Sequence, residues 1–262
     1  MTSLTVLSSF ERPTLSAHVA RHLLSLINRD QLRPGDKVPS EVQISRDLQV
    51  SRGSVREAYR TLAALGILEI EGGRHPRLRP IDPSVLAQVF DYALNTAQVS
   101  IAHALETRRA LELQTAQLAA RYATDAQRQC LRELVVQMRS AGADHTRRVA
   151  CDMGIHGVIA EASGNPLNSL LLGALRSPLE ASARMHLADT RSEAELIRVI
   201  DGHDAVVERI CARDPVGAAS AMSYHFDLAL VHVQRQETRS ESDSTPAAPG
   251  NAMPALPSRQ SN

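Results

Sequence analysis

Two groups of side chains in this sequence have the types and spacing to do chemistry. Asp152 and His156 stand four residues apart, which places them on one face of a helix, and His203 and His225 fall on two later helical stretches. One carboxylate with three imidazoles is a donor set for a divalent first-row metal such as Zn2+, Ni2+ or Mn2+. Helical bundles build such centres from side chains on facing helices. Any one of the ten histidines is, taken singly, more commonly a polar core or surface residue, so spacing alone leaves that alternative open.

The second group is basic. In Ser51-Arg52-Gly53-Ser54-Val55-Arg56 and on to Arg60, the arginines recur every four residues and share a helix face. Arginine suits bidentate contact with guanine, where a good pair discriminates by about 1–3 kcal/mol. The hydroxyls of Ser51 and Ser54, with the amides of a helix N-terminus, can hold phosphates. Further on, Gly73 in a tight turn would let the backbone come close to a duplex, and Arg74 would reach a minor groove or a phosphate. A solvated arginine face on an ordinary helix is the competing reading. The surrounding elements weigh against it.

Those elements follow from periodicity. Leu15, Val19, Leu23 and Ile27 mark one face of a first helix. Pro34-Gly35 breaks it, Ser40 can cap a short second helix to about Leu48, and Ser51 can cap a third. In the third, Val55, Ala58 and Leu62 face inward and Gly66 takes the position just past the end. Ile67 to Glu71 alternates as a strand, Gly72-Gly73 supplies the turn, and Arg77 to Arg79 can return. Three helices and a small hairpin make a winged helix-turn-helix pattern, in which the recognition helix enters the major groove.

After Pro80 the pattern is helical throughout. Asp82-Pro83 reads as a cap with proline at the first helical position. Six or seven amphipathic helices are predicted, near 83–95, 100–122, 125–140, 145–163, 166–188, 193–213 and 215–235. Thr124 with Gln127, and Thr190 with Glu193, have capping-box spacing. The expected class is therefore mainly α: a winged helix-turn-helix over 12–80, an all-α bundle over 81–235, and a proline- and serine-rich disordered tail over 236–262.

Composition agrees with this layout. A chain of 262 residues exceeds the usual single-domain range, and 43% apolar residues suffice for a sizeable core. Aromatics at 3% argue against recognition of nucleic acid by base stacking. Net charge is zero, yet residues 11–80 carry eleven Arg and one Lys against eight acids, so the excess of positive charge sits in the first segment. Cys130, Cys151 and Cys211 form no C-x-x-C pair, which fits a reducing cytoplasm. Neither a secretory signal nor a stretch of about 18 apolar residues able to span a membrane is expected.

The residues Pro34-Gly35-Asp36-Lys37-Val38-Pro39-Ser40-Glu41, Val50-Ser51-Arg52-Gly53-Ser54-Val55-Arg56-Glu57-Ala58 and Leu62-Ala63-Ala64-Leu65-Gly66-Ile67-Leu68 resemble the GntR family of bacterial regulators. The later stretch resembles its FCD ligand-binding domain, through Leu105 to Glu112, Leu118 to Thr124, Asp152-x-x-x-His156, Ala162-Ser163-Gly164-Asn165, and His203, Asp214, Ala218, Met222 and His225. Together they resemble the FadR-like subfamily. The resemblance implies that Asp152, His156, His203 and His225 ligate a metal and that a small carboxylate effector completes its coordination. It also implies that Arg108 faces the effector. A bidentate clamp would suit that role, while an i,i+4 surface pair with Glu112 is the plain alternative. Asn165 reads as a turn residue. The sequence departs from the family at Val42 and His75, where an Arg and a second Gly are usual, and at Ile155 and Gly202, where Phe and Glu are usual.

The expected function is a homodimeric, metabolite-responsive regulator of double-stranded operator DNA, in the sense of a repressor. Two other classes fit parts of the pattern. A metal-dependent hydrolase or lyase would use the same ligands with Glu161 as base, but H-E-x-x-H is absent. An architectural DNA binder would carry an inert helical domain. Arg184, His186 and Arg191 lie between the ligand-bearing helices and could shape the pocket, although most residues so placed are merely exposed.

Overall fold

A computed structural model of the chain describes residues 14–243, except 73, 143, 178–179 and 181–192. The N-terminal unit opens with α1 (Leu15–Arg29), α2 (Glu41–Leu48) and α3 (Arg52–Ala64), followed by β1 (Leu68–Glu69) and β2 (Arg77–Leu78). Each helix start is chemically specified. Thr14, Ser40 and Ser51 accept hydrogen bonds from the backbone N–H of Ala17, Gln43 and Ser54, meeting donors that a helix leaves unpaired. Gly66 follows α3 with φ +70°, the left-handed backbone that glycine adopts without a Cβ penalty.

The core of this unit is built from Val19, Leu23, Ile44, Val55, Ala58, Tyr59 and Leu62. Ile27 packs against its edge, and Leu15, in the first turn, stays half exposed. The hairpin is shorter than the alternation predicts. β1 and β2 are antiparallel, with Leu68 opposite Leu78 and Glu69 opposite Arg77. A third segment joins them where the sequence suggests only a turn. Leu78 N donates to Asp36 O at 2.9 Å, Val38 N donates to Pro76 O at 2.9 Å, and Lys37 bridges Arg77. These bonds satisfy the outer edge of β2 and tie the wing to the entrance of α2.

Seven described helices follow: α4 (Ser84–Asn95), α5 (Ile101–Tyr122), α6 (Asp125–Ser140), α7 (His145–Ala162), α8 (Pro166–Ala174), α9 (Glu193–Cys211) and α10 (Pro215–Asp243). The class is mainly α, with one two-stranded sheet among the described residues. Helix α5 is the hub, packing against α7, α8, α9 and α10. Its buried Ala104, Ala116, Ala119 and Ala120 let those helices come close. Leu105, Leu131, Met138, Ile155, Ile159, Val207, Ile210, Met222 and Phe226 fill the core around it. The Thr124–Gln127 capping box forms at α6. Thr190, proposed to cap α9, lies outside the described residues.

Three boundaries differ from expectation. Helix α4 begins at Ser84, because the Asp82 carboxylate caps the Ser84 N–H at 2.8 Å and leaves Pro83 before the first helical residue. Helix α8 ends at Ala174 rather than near 188. The carbonyls of Leu172 and Leu175 there receive Arg108 Nη1 at 3.3 and 2.7 Å, so a cation satisfies acceptors that a helix C-terminus leaves free. Helix α10 continues to Asp243, so 236–243 are helical where composition predicts disorder. Gln, Glu and Arg in that stretch are good helix formers, extending an existing helix is easier than starting one, and the first helix-breaking proline comes only at Pro246. Residues 244–262 of the expected tail lie outside the described set. Among the described residues, no helix is long and apolar enough to cross a membrane.

Candidate functional site

The bundle brings Asp152 and His156 of α7, His203 of α9 and His225 of α10 into one buried cluster. One potential ligand atom from each lies within 4.8 Å of all the others. The His203 and His225 ring centroids are 4.2 Å apart, and His156 is 5.2 Å from His225 and 5.8 Å from His203. Phe226 closes one side, 6.0 Å from His156 and 5.5 Å from His225.

The hydrogen bonds around the cluster orient its nitrogens. His203 Nδ1–H donates to the Val199 carbonyl at 2.9 Å, one turn back on α9. His156 Nδ1–H donates to Glu112 Oε2 on α5. Both rings therefore turn Nε2 inward, where His203 Nε2 lies 2.8 Å from Asp152 Oδ1, while His156 Nε2 and Asp152 Oδ2 are buried with no hydrogen-bond partner. Buried polar atoms are nearly always paired, so these two orphaned atoms beside the His203–Asp152 contact fit a cation. Outer hydrogen bonds that fix the ring tautomer are what ligand histidines require. The donor set thus suits a divalent metal held by Asp152, His156, His203 and His225.

The electrostatics follow from burial and pairing. Burial alone would raise the Asp152 carboxyl, but His203, His156 and Arg108 outweigh it and hold the group below the usual carboxylate range. Burial would lower His156, but Glu112 first and then Asp152 favour its charged form and raise it. Glu112 is fully buried, which would raise it. The charges and hydrogen bonds of His156 and Arg108 bring it down to about 2.

Arg108 is 2% exposed, so its pairing with Glu112 is a buried contact rather than the surface pair that helix spacing suggests. Its Nε donates to Glu112 Oε1 at 3.0 Å and its Nη2 donates to the same oxygen. Arg108 also lines a cavity of about 180 Å³, together with Met153, His156, Ser169, Leu172 and Arg176. Glu161 lies on the same wall. Arg176 is exposed and has no ion-pair partner among the described residues. Asn165 serves the turn, capping Leu167 N at 3.1 Å. Gly202 offers no side chain, and a Cβ there would come 3.8 Å from His225 Nδ1. Arg184, His186 and Arg191 lie outside the described residues. Helical spacing does relate Glu112 to Arg108, but no sequence signal relates either to His156, 44 residues on.

At the other end of the chain, the expected reading residues gather at the start of α3. Ser51 caps the helix at 3.2 Å from Ser54 N, and the two hydroxyls are 3.0 Å apart. Arg52, Arg56 and Arg60 are exposed while Val55, Ala58 and Leu62 are buried, which leaves the arginine face outward. Arg56 Nε sits 3.5 Å from Glu41 Oε2 at the start of α2. A Cβ at Gly53 would meet only Ser51 Oγ, at 3.7 Å, so packing within the protein does not demand glycine there. Arg74 is exposed on the wing and pairs with Glu71. Gly73 lies outside the described residues. Sequence reasoning missed Tyr59, whose buried hydroxyl donates to the Pro39 carbonyl and ties the reading helix to the start of α2.

Comparison with known proteins agrees with both halves. Residues 15–75 match the model of the bacterial regulatory proteins of the gntR family, and residues 103–228 match the FCD domain. The chain is 31% identical over 223 residues to the HTH-type transcriptional repressor NanR of Cronobacter sakazakii, covering 82% of this chain and 84% of that one. It is 29% identical over 207 residues to the HTH-type transcriptional regulator LutR of Bacillus subtilis, covering 77% and 93%. Among solved structures, a Streptococcus agalactiae GntR protein superposes with a TM-score of 0.61 at 27% identity, covering 84% of this chain and 99% of that one. These likenesses set aside the hydrolase reading, in which Glu161 would act as a base. With a winged reading head and a helical effector domain in one chain, this protein belongs to the GntR family of DNA-binding transcriptional regulators that carry an FCD domain.

Proposed function

We propose that this regulator is a repressor acting as a homodimer on DNA in the cytoplasm, and that a small carboxylate bound beside a divalent metal in the bundle weakens its hold on the operator. The observation that carries the reading is the convergence of Asp152, His156, His203 and His225, with His156 Nε2 and Asp152 Oδ2 buried and unpaired, next to a cavity that His156 itself lines. A divalent cation held there supplies a Lewis-acidic anchor for one carboxylate oxygen. Zn2+, Ni2+ and Mn2+ all suit the donor set.

The protein's own residues do the rest. Arg176 puts a positive charge on the cavity wall for the acid's other oxygen. Arg108 borders the same space with its guanidinium turned to Glu112, so clamping the effector directly would require it to exchange one carboxylate for another. Met153 and Leu172 exclude water from the acid's carbon skeleton. Such a ligand bridges α7 and α8 and would bias the arrangement of the two reading heads, which is what linkage between effector and operator requires.

At the operator, Arg52 and Arg56 would read base edges in the major groove. Ser51, Ser54 and Gly53 would let a phosphate approach the N-terminus of α3, and Arg74 with Gly73 would follow the backbone from the wing. The repressor sense is supported by the likeness to NanR, which is described as a repressor. A thermal-shift screen of hydroxy acids, sugar acids, dicarboxylates and amino acids, run with and without chelator, tests the sensing half. The expected result is stabilisation by one acid class that disappears on chelation. Stabilisation that persists in chelator would remove the metal from effector binding.

A further inference from the structure

Glu112 is 0% exposed, and both of its oxygens are spoken for. Oε1 takes Arg108 Nε at 3.0 Å together with Nη2, and Oε2 takes His156 Nδ1. A carboxylate taken fully out of water must be paired on every side. Here the pairing runs through three elements: Arg108 one turn earlier on α5, His156 on α7, and, through Arg108 Nη1, the carbonyls of Leu172 and Leu175 at the end of α8. We propose that Glu112 is the positioning residue of the metal centre, and that Arg108 serves the centre by holding Glu112 rather than by gripping the effector. This rests on the metal reading above.

The argument is one of proton placement. An ionised carboxylate has no hydrogen to give, so at the Glu112–His156 contact the proton belongs to His156 Nδ1. With Nδ1 taken by Glu112, Nε2 is the ring nitrogen left for the cluster, which it faces without a hydrogen-bond partner. Glu112 also fixes the ring plane, since His156 has no second hydrogen bond to do so. His203 receives the same service from a backbone carbonyl, Val199. Glu112 needs Arg108 in turn. Without the guanidinium its carboxylate would sit fully buried with the His156 imidazole as the one side-chain partner left to it among the described residues. Arg108 is held at three acceptors and cannot swing to a ligand without stranding Glu112.

The test uses the full chain stripped of metal and titrated with Zn2+ against a chromophoric chelator. The variants are Glu112→Gln and the double variant Arg108→Met/Glu112→Leu. The double variant removes both buried charges together, so it should keep the fold even if the single change does not. Zinc affinity is expected to drop about 10–100-fold in each folded variant, the range seen when a residue supporting a ligand is removed. The 15N shifts of His156 in the zinc-loaded wild type should show Nε2 bound and Nδ1 protonated, and the variants should lose the slowly exchanging Nδ1 proton. Wild-type affinity in a folded variant, or an unchanged His156 signature, would overturn the role of Glu112. A wild-type chain that takes up no zinc would overturn the metal reading, and this inference with it.

Discussion

His203 presents Nε2 to Asp152 Oδ1 across 2.8 Å, while its ring proton is committed to the Val199 carbonyl on the other side. Both atoms thus belong to the same buried cluster, where a shared cation would take the place of their direct contact. His203→Ala should therefore weaken metal binding by roughly tenfold or more, since it deletes a ligand outright rather than its support. It should also blunt the response to the effector while DNA binding without effector survives. Elemental analysis of the purified variant checks the first point. Undiminished metal would take His203 out of the centre.

Acid sensitivity should trace to Glu112. Its carboxyl falls from an ordinary 4.5 to about 2 on folding, so it adds stability above pH 4.5 that drains away as the pH falls towards 2. His156 shifts the opposite way, and its contribution is fully present in that acid range, so it does not mask the effect. Denaturation of metal-free protein across this window should show a steeper loss for wild type than for Arg108→Met/Glu112→Leu. Parallel curves would assign the acid response to other carboxylates.

Arg52→Ala should cost about 1–3 kcal/mol on the specific operator and relax base preference at one position of each half-site. Binding isotherms on operator and random DNA at one fixed salt concentration measure both. Equal losses on the two DNAs would make Arg52 a phosphate contact instead.

Tyr59→Phe should lower stability by about 1 kcal/mol, the usual net worth of one hydrogen bond, with some further cost from stranding the buried Pro39 carbonyl. Because that bond positions the start of α2 against α3, operator affinity should fall as well. Urea denaturation and DNA titration of the same preparation separate the two effects. Full stability in the variant would show that water replaces the hydroxyl.

Much of the bundle was legible because helix boundaries are local chemistry. Thr124, Gln127, Gly164, Asn165 and Pro166 announce their caps and breaks within a few residues of one another. The end of α8 was not legible, since its terminal carbonyls are satisfied by Arg108 from 64 residues away. The third strand-like segment at Asp36 to Val38 escaped notice for the same reason, because its partners are in β2.

By itself the sequence determined the mainly helical class, the winged reading head and the four residues that gather in the bundle. Those follow from periodicity, capping and a resemblance carried by local motifs. Only the tertiary structure decided which atoms face one another. Asp152 and His156 share a helix face by spacing, but whether His203 and His225 arrive at that face depends on how α5, α7, α9 and α10 pack around small alanines. Likewise, spacing offers Arg108 and Glu112 as a solvent-exposed pair, and burial turns the same two residues into the support of His156. Proton position and charge pairing depend on distance through space and on exclusion of water, and neither quantity is written along the chain.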